Sequence, residues 1–336
     1  MKTIIRLLII FIFTFLAACN SQQANPPNNA STQTAANNNV LANSDTTKNV
    51  SNQNSTIEPA GNISANTVNH NESPTEISEA APEFTATPLP DSWKDYPVIP
   101  NVSQHAIEIY QRGIEMGNDP HSFSKIGDCQ NITTYFLAAL EDPDLHSLGE
   151  EYGYLQDTID YFYGSYSRES LAVDGGLNVA RVISPFHSDP ELCEPNEHPL
   201  ACEVRVNNPS IAIVSLEENW ESRTPEEYEG YLRTVLDYLI DEGVLPILAT
   251  KADNLEGDHQ INKTIAKLAA EYDIPLWNFW RAVQPLPNHG LMQDGFHLTL
   301  AGPYFDAESN MRAAWPWRNL TALQALKGVQ EAVNGE

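Results

Sequence analysis

Along residues 119–333, short apolar runs alternate with amphipathic stretches, and this alternation limits the fold more than any other property of the sequence. "PSIAIVSLEEN" (209–219) contains a nearly continuous apolar run, which is typical of a strand buried on both faces. "TPEEYEGYLRTVLDYLIDEG" (224–243) has a helical apolar spacing, a Thr-Pro-Glu-Glu start and a terminal glycine. Alternating strands and helices predict an α/β domain with a mostly parallel sheet.

The same two patterns assign the other elements. Further strands are predicted at "HSFSKIGD" (121–128), "ESLAVDGG" (169–176), "VLPILATK" (244–251) and "IPLWNFW" (274–280). Further helices are predicted over residues 132–140, 148–162, 261–272 and 318–333. With helices between successive strands of a parallel sheet, we expect a three-layer α/β/α sandwich in a flavodoxin-like arrangement.

The N-terminus has the layout of a secretory signal. Lys2 and Arg6 lead into the apolar run "LLIIFIFTFL", which is too short to cross a bilayer as a helix. The following "LAAC" (16–19) resembles the bacterial lipobox, which implies cleavage before Cys19 and attachment of a lipid to it. An ordinary signal peptide with an incidental cysteine is the alternative. We expect a lipoprotein signal peptide over residues 1–18 and an extracytoplasmic protein, lipid-anchored to a bacterial membrane or cell surface.

Residues 19–85 lack the side chains that build a core. They contain fifteen Asn, no Tyr or Trp, and a single Phe, Phe84. So little apolar surface does not offset the entropy that is lost when a chain becomes ordered. We expect this segment to be a disordered tether that links the lipid to one globular domain over residues 86–336.

The predicted domain is strongly acidic. Residues 86–336 contain 39 Asp and Glu but only 15 Lys and Arg. Because nucleic-acid binding needs clustered Lys and Arg, this balance argues against a nucleic-acid partner. It also disfavours a basic membrane-binding surface and indicates a well-solvated exterior. We expect the protein to be a monomer.

Glycines and polar residues follow three of the predicted strands where each strand ends: "GDC" (127–129), "GG" (175–176) and "EEN" (217–219). In open parallel sheets, ligands bind beyond the carboxyl ends of the strands, so these segments should converge on one site. A late loop adds Asp294 and His297, whose spacing lets the carboxylate reach Nδ1 and leaves Nε2 to face a nucleophile. A surface turn with a hydrated histidine would have the same pattern.

Two cysteines of the domain lie close together in sequence. Cys193 and Cys202 are nine residues apart in "CEPNEHPLAC", a proline-rich segment in which little helix is expected. Because export brings a chain into an oxidising environment, we expect these two residues to form a disulfide. Cys129 then remains as an odd thiol, and it is either a reactive nucleophile or a buried, inert small hydrophobe.

The order of these blocks resembles that of the SGNH (GDSL-type) hydrolases. In both, Gly-Asp comes early, a glycine follows the second strand, an asparagine follows the third, and Asp-x-x-His comes late. Three segments are also similar to those of exported lipoproteins of that superfamily: "FSKIGD" (123–128), "CEPNEHPLACE" (193–203) and "RNLTALQAL" (318–326). The resemblance covers most of residues 95–330 and implies the SGNH fold.

The resemblance also implies a catalytic site that needs neither a metal nor an organic cofactor. Its residues would be Cys129 as nucleophile, His297 as base, Asp294 as the residue that orients the base, and Cys129 N–H, Gly176 N–H and the Asn219 side chain as oxyanion donors, with Gly175 as the alternative to Gly176. The implied activity is hydrolysis of esters by acyl transfer, for example of acyl groups on lipids or polysaccharides.

Two departures from the family pattern keep a second function open. Cysteine replaces the usual serine at position 129, and Glu217-Glu218 precede Asn219 where the family usually has Gly-x. Acidic side chains beside an oxyanion hole would oppose the negative charge that develops there. The alternative is a catalytically inactive SGNH-fold protein that binds a carbohydrate or an acylated ligand.

Overall fold

A computed structural model describes residues 91–216 and 222–335. The predicted signal peptide, Cys19, the predicted tether and the predicted oxyanion donor Asn219 lie outside these residues. The described chain has an α/β fold with a parallel sheet, as its alternating apolar and amphipathic stretches predict.

Four parallel strands form the sheet in the order β1-β2-β3-β4. Their bounds are β1 (Asp119–Gly127), β2 (Pro209–Ser215), β3 (Leu245–Ala249) and β4 (Leu276–Trp277). Every residue of β2 and of β3 is buried, which agrees with the apolar runs in their sequences. Because all four strands run in the same direction, their carboxyl ends lie along one edge of the sheet.

Seven α-helices occur in the described residues. Their bounds are α1 (Gln104–Met116), α2 (Gln156–Tyr161), α3 (Pro199–Asn207), α4 (Pro225–Asp241), α5 (Gln260–Glu271), α6 (Phe279–Val283) and α7 (Ala314–Asn334). The Trp277 indole of β4 donates a hydrogen bond to Thr321 Oγ1 of α7 at 3.0 Å, so the last helix is fastened to the last strand.

The predicted start and end of α4 are both confirmed. Thr224 Oγ1 accepts from Glu227 N at 3.2 Å, and Glu227 Oε2 accepts from Thr224 N at 3.0 Å. This capping box satisfies two backbone donors that the first helical turn leaves without partners. At the other end Gly243 has a φ of 69°, and a Cβ there would overlap the backbone of Gly113 in α1. Gly243 therefore ends the helix and allows α1 to approach closely.

The predicted strand over residues 169–176 is wrong. Only one parallel bridge forms there, between Val173 and Gly127 of β1. Upstream, the Ser170 hydroxyl donates to the Lys125 carbonyl at 2.6 Å, and Leu171 N donates to Glu203 Oε2 at 2.8 Å. Side chains thus bind backbone groups that strand pairing would otherwise bind. The segment pairs with β1 only through the bridge between Val173 and Gly127.

The predicted helix over residues 132–140 is also wrong. The segment forms turns that lead into a 3-10 helix (Ala138–Glu141), and Leu137 has a φ of 71°. Asn319 of α7 explains the difference, because its Oδ1 accepts from Leu137 N at 2.6 Å and its Nδ2 donates to the Tyr135 carbonyl at 3.1 Å. A distant side chain therefore binds backbone groups that a helix would pair locally.

Other boundaries shift for local reasons. The predicted helix over 148–162 contains α2 only in its second half, because Gly149 adopts a φ of 61° at the start. The predicted strand over 274–280 ends after two residues, where Asn278 accepts from Arg281 N and α6 begins. The disulfide segment holds more helix than expected, since His198 Nδ1 accepts from Ala201 N at 3.1 Å and α3 begins there.

The predicted disulfide is present in the structure. Cys193 and Cys202 are bonded, with their Cα atoms 5.3 Å apart. The bridge joins the loop before α3 to the first turn of that helix. Cys129 forms no disulfide within the described residues and is buried.

Candidate active site

The turn that carries Cys129 begins where β1 ends. Asp128 leads from Gly127 into a 3-10 turn (Cys129–Asn131), which is closed by a hydrogen bond from Asn131 N to the Asp128 carbonyl at 2.9 Å. Cys129 is 2% exposed, and the other three residues of Asp128–Asn131 are equally buried. The thiol therefore lies at the carboxyl end of a strand, where parallel sheets place their ligands.

A glycine is required at the start of this turn. A Cβ on Gly127 would overlap both the side-chain amide of Asn131 and the Ser215 carbonyl of β2. Asn131 Nδ2 uses this space to donate to the Ser215 carbonyl at 2.8 Å. The hydrogen bond ties the Cys129 turn to the carboxyl end of the neighbouring strand.

Strand pairing places the end of β1 between two other segments. Gly127 pairs with Ser215 on one side and bridges to Val173 on the other. Cys129 follows Gly127 by two residues, and Gly176 follows Val173 by three residues. Asn219, which follows Ser215 by four residues, lies outside the described chain. Of the predicted convergence, the structure shows the end of β1 beside the segment that contains Gly176.

Asp294 and His297 form a hydrogen-bonded pair. His297 Nδ1 donates to Asp294 Oδ2 at 2.7 Å, while Asp294 Oδ1 accepts from the backbone N–H groups of His297 and Phe296 at 3.0 Å each. A carboxylate only accepts hydrogen bonds, so this contact places the ring proton on Nδ1. The other ring nitrogen, Nε2, is shielded from solvent. It is the nitrogen that would exchange a proton with a substrate or nucleophile.

The charge of Asp294 is maintained by these bonds. Partial burial alone would raise the pKa of Asp294, but the hydrogen bonds from the His297 ring and from the two backbone amides outweigh it and hold the pKa below its usual range. An ionised Asp294 can stabilise an imidazolium at His297. The lowered pKa therefore favours the charged form of Asp294 beside the His297 ring.

The last helix connects the histidine loop to the cysteine turn. Thr299, two residues after His297, accepts at Oγ1 from Ala314 N at 2.9 Å, and its carbonyl accepts from Trp315 N at 3.2 Å. One helical turn later, Arg318 Nε donates to the carbonyl of Gln130, the residue after Cys129. The first turns of α7 thus hold both segments.

The predicted oxyanion glycine is engaged within its own loop. Gly176 N donates to Asp174 Oδ1 at 2.8 Å, and its carbonyl accepts from Arg181 Nη1 at 2.6 Å. Next to it, the buried Asn178 accepts at Oδ1 from Ala180 N and Arg181 N at 3.0 Å each. In this arrangement the Gly176 amide points at a carboxylate.

Sequence reasoning missed the residues that hold the turn. Asn131, Ser215 and Arg318 are all buried and hydrogen-bonded to one another or to the turn backbone. Arg318 opens the segment "RNLTALQAL", but its position there carries no signal of a function. An arginine that follows the aromatic start of this helix, "AWPWR" (314–318), was the available clue, because such a charge is buried only when it has partners.

The described residues offer one group of potential metal ligands. The ligand atoms of Cys193, Glu197 and Cys202 lie within 4.8 Å of one another. Because the two sulfurs are bonded to each other, only Glu197 remains as a donor, and the group does not form a metal site. In the same part of the chain, no helix has the length and apolarity to span a membrane.

Comparison with known proteins adds no relative: the chain matches no family model, no curated protein and no solved structure.

Proposed function

We propose that this chain is an exported, membrane-anchored hydrolase of the SGNH type that cleaves esters through acyl transfer to Cys129. The hydrogen bond between His297 Nδ1 and Asp294 Oδ2 carries the proposal, because it orients the ring and makes Nε2 the nitrogen that would transfer a proton. The buried thiol at the end of β1 supplies the matching nucleophile.

The proposed reaction has two halves. His297 Nε2 accepts the proton of the Cys129 thiol, and the sulfur attacks the ester carbonyl carbon, forming a C–S bond and a tetrahedral oxyanion. As the oxyanion collapses, the C–O bond to the alcohol breaks and the imidazolium returns its proton to the leaving oxygen. Water, deprotonated by His297, then attacks the thioester carbonyl carbon; the C–S bond breaks, the carboxylic acid leaves, and the imidazolium returns the proton to the sulfur. Asp294 stays ionised throughout.

Hydrogen-bond donors must hold the oxyanion in both halves. The proposal assigns this role to the backbone N–H groups of Cys129 and Gly176 and to Asn219. Loss of one such donor typically lowers the rate by about 10² to 10³-fold. The Gly176 amide would have to turn from Asp174 toward the substrate, so the loop that holds it would adjust when the substrate binds.

The finer fold and the location belong to the same proposal. We take the helices and the parallel sheet to form the three-layer sandwich of the SGNH hydrolases, as a monomer. The Cys193–Cys202 disulfide supports an oxidising compartment outside the cytoplasm. A lipid on Cys19 and the tether up to residue 85 would keep the domain near a membrane, where acylated lipids or glycans are its substrates.

One observation favours a binding protein of the same fold instead. The Asp174 carboxylate accepts a hydrogen bond from Gly176 N, so the amide that would donate to the oxyanion already has an acceptor. The negative charge of Asp174 also lies beside this amide. A site with this arrangement could bind a carbohydrate or an acylated ligand without hydrolysing it. The two functions differ in whether an ester is cleaved.

A panel of activated esters, with short and long acyl chains, separates these functions. The chain without residues 1–19 is assayed beside Cys129→Ala and His297→Ala. A hydrolase gives turnover that both variants abolish, and to similar extents, because residues that act as a unit do not contribute additively. Absence of turnover in the unaltered chain across the panel, with binding of an ester or glycan, would establish the binding protein.

A further inference from the structure

A fully buried arginine lies beneath the Cys129 turn. Arg318, in the second turn of α7, has no exposed surface, although its guanidinium group carries a permanent charge. Removing such a charge from water is costly unless it is paired and hydrogen-bonded. The bonds that hold this side chain therefore indicate what it does.

Three hydrogen bonds connect the guanidinium group to two parts of the proposed site. Nε donates to the Gln130 carbonyl at 2.9 Å, and Nη2 donates to Asn131 Oδ1 at 3.1 Å. Nη2 also donates to Ser215 Oγ at 2.9 Å, at the carboxyl end of β2. One planar group thus spans the turn that carries Cys129 and the strand that leads toward Asn219.

Aromatic rings fix the plane of this group. The guanidinium carbon lies 4.8 Å from the ring centre of Phe136, 5.0 Å from that of Phe279 and 5.3 Å from that of Trp277. All three rings are completely buried. Cation–π contacts of this kind contribute most when the charge is desolvated, and here they also restrict rotation of the side chain.

We infer that Arg318 is a positioning residue that sets the Cys129 turn in register with the end of β2, and this inference rests on the proposed function. A backbone carbonyl, an amide oxygen and a hydroxyl are bound at once by a rigid fork, so the turn and the strand cannot shift independently. Of these two segments, the turn carries the nucleophile and one proposed oxyanion donor, Cys129 N–H, and the strand leads to a second, Asn219. A shift of about 1 Å between them would lower the rate by about 10²-fold.

Lysine cannot replace this function, although it keeps the charge. Its ammonium group is a single point at the end of a flexible chain, and it lacks the planar fork that reaches two segments. Arg318→Lys therefore tests geometry at constant charge, and Arg318→Met serves as a second variant without the charge. Lys327→Gln is the matched control, because Lys327 lies on the same helix but pairs with Glu331 at the surface.

The first measurement is ester hydrolysis by the chain without residues 1–19. We expect Arg318→Lys to lower kcat by about 10²-fold while KM changes less than about threefold, since the fully buried Arg318 has no exposed surface for a substrate to contact. Lys327→Gln should match the unaltered chain. Turnover by Arg318→Lys equal to that of the control overturns the inference but leaves the hydrolase proposal standing.

The second measurement needs no turnover, so it separates failure of the inference from failure of the proposed function. Amide hydrogen exchange is followed by mass spectrometry in all variants. Exchange over residues 128–132 and at the end of β2 should rise about tenfold or more in Arg318→Lys, with α4 unchanged. Unchanged exchange at the turn overturns the inference even if no ester is cleaved. A uniform loss of protection across α4 and α5 assigns Arg318 to general stability and also overturns it.

Discussion

His297 Nδ1 lies 2.7 Å from Asp294 Oδ2, and only two residues separate these two residues in the chain. The second carboxylate oxygen accepts from the backbone amides of Phe296 and His297, so the loop folds around the carboxylate and presents the ring to it. The spacing of three residues is thus a geometric requirement. It allows a side chain and the backbone of one short loop to orient a histidine without help from another element.

Asp294→Asn should inactivate the protein without unfolding it. An amide that donates to Nδ1 stabilises the wrong tautomer, so we expect ester turnover to fall by about 10² to 10⁴-fold. The thermal midpoint should stay within a few degrees, because 43% of the Asp294 side chain remains exposed and the amide keeps an oxygen that can accept from the backbone. Asp306→Asn is the control, since Asp306 is also exposed and accepts a hydrogen bond from Ser147 at the surface. Equal turnover in the two variants would remove Asp294 from the mechanism.

Cys129→Ser tests whether the site is built for sulfur. Cys129 is 2% exposed and lies in a closely packed turn, so the smaller oxygen fits but reacts only with an efficient base. We expect Cys129→Ala to abolish turnover and iodoacetamide to label Cys129 in the folded protein, faster as the pH rises. Higher turnover by Cys129→Ser would mean that a serine geometry has been retained. A thiol that is labelled only after denaturation, together with no activity in any form, would identify Cys129 as an inert core residue.

A buried aspartate at the end of β3 should make stability depend on pH. Burial raises the pKa of Asp253 to about 6, and the Lys251 ammonium group, 2.8 Å away, offsets this only in part. Because this pKa exceeds the usual 3.8, the folded state holds the proton more tightly than the unfolded state. The stabilisation is complete below that usual value and is lost as the pH rises through about 6.

Asp253→Asn removes this dependence, since its side chain is neutral at every pH. From about pH 4 to about pH 7, the unaltered chain should lose on the order of 2 kcal/mol relative to the variant. Thermal unfolding at several pH values measures the difference. Asp258→Asn is the control, at an exposed site in the same loop. Its stability should change with pH in the same way as that of the unaltered chain. If the stability of Asp253→Asn also changes with pH as that of the unaltered chain does, burial does not shift the pKa of Asp253.

The disulfide should stabilise the domain without affecting catalysis. The bridge closes a loop with a sequence separation of nine residues, and closures of this size contribute about 2 to 4 kcal/mol. We expect the Cys193→Ser/Cys202→Ser double variant to unfold about 4 to 12 °C lower, with unchanged turnover. Mass spectrometry without reduction checks the pairing. Two free thiols, or Cys129 joined to either partner, would contradict it.

The parts of the fold that the sequence predicts are those set by local pattern. The β2 and β3 runs are apolar because both faces are buried, and the Thr224 capping box marks α4. The failures come from long-range side chains. Asn319 binds the backbone at Leu137 from 182 residues away, and no pattern near Leu137 reports it. The role of Arg318 could not be predicted for the same reason, because its hydrogen-bond partners lie on β2 and on the Cys129 turn.

The contact between Gly176 N and Asp174 Oδ1 bears on the choice between the two candidate glycines and on the two proposed functions. If Gly176 donates to the oxyanion, the Asp174 carboxylate competes for its amide and repels the developing charge. Asp174→Asn keeps an oxygen acceptor but removes that charge, so ester turnover should rise about tenfold. Asp174→Ala should raise it at least as much, because the amide is then released. Rates measured under single-turnover conditions isolate the acylation step. A drop in both variants would mean that the carboxylate shapes the loop for Gly175, the other candidate, and that Gly176 is a structural residue.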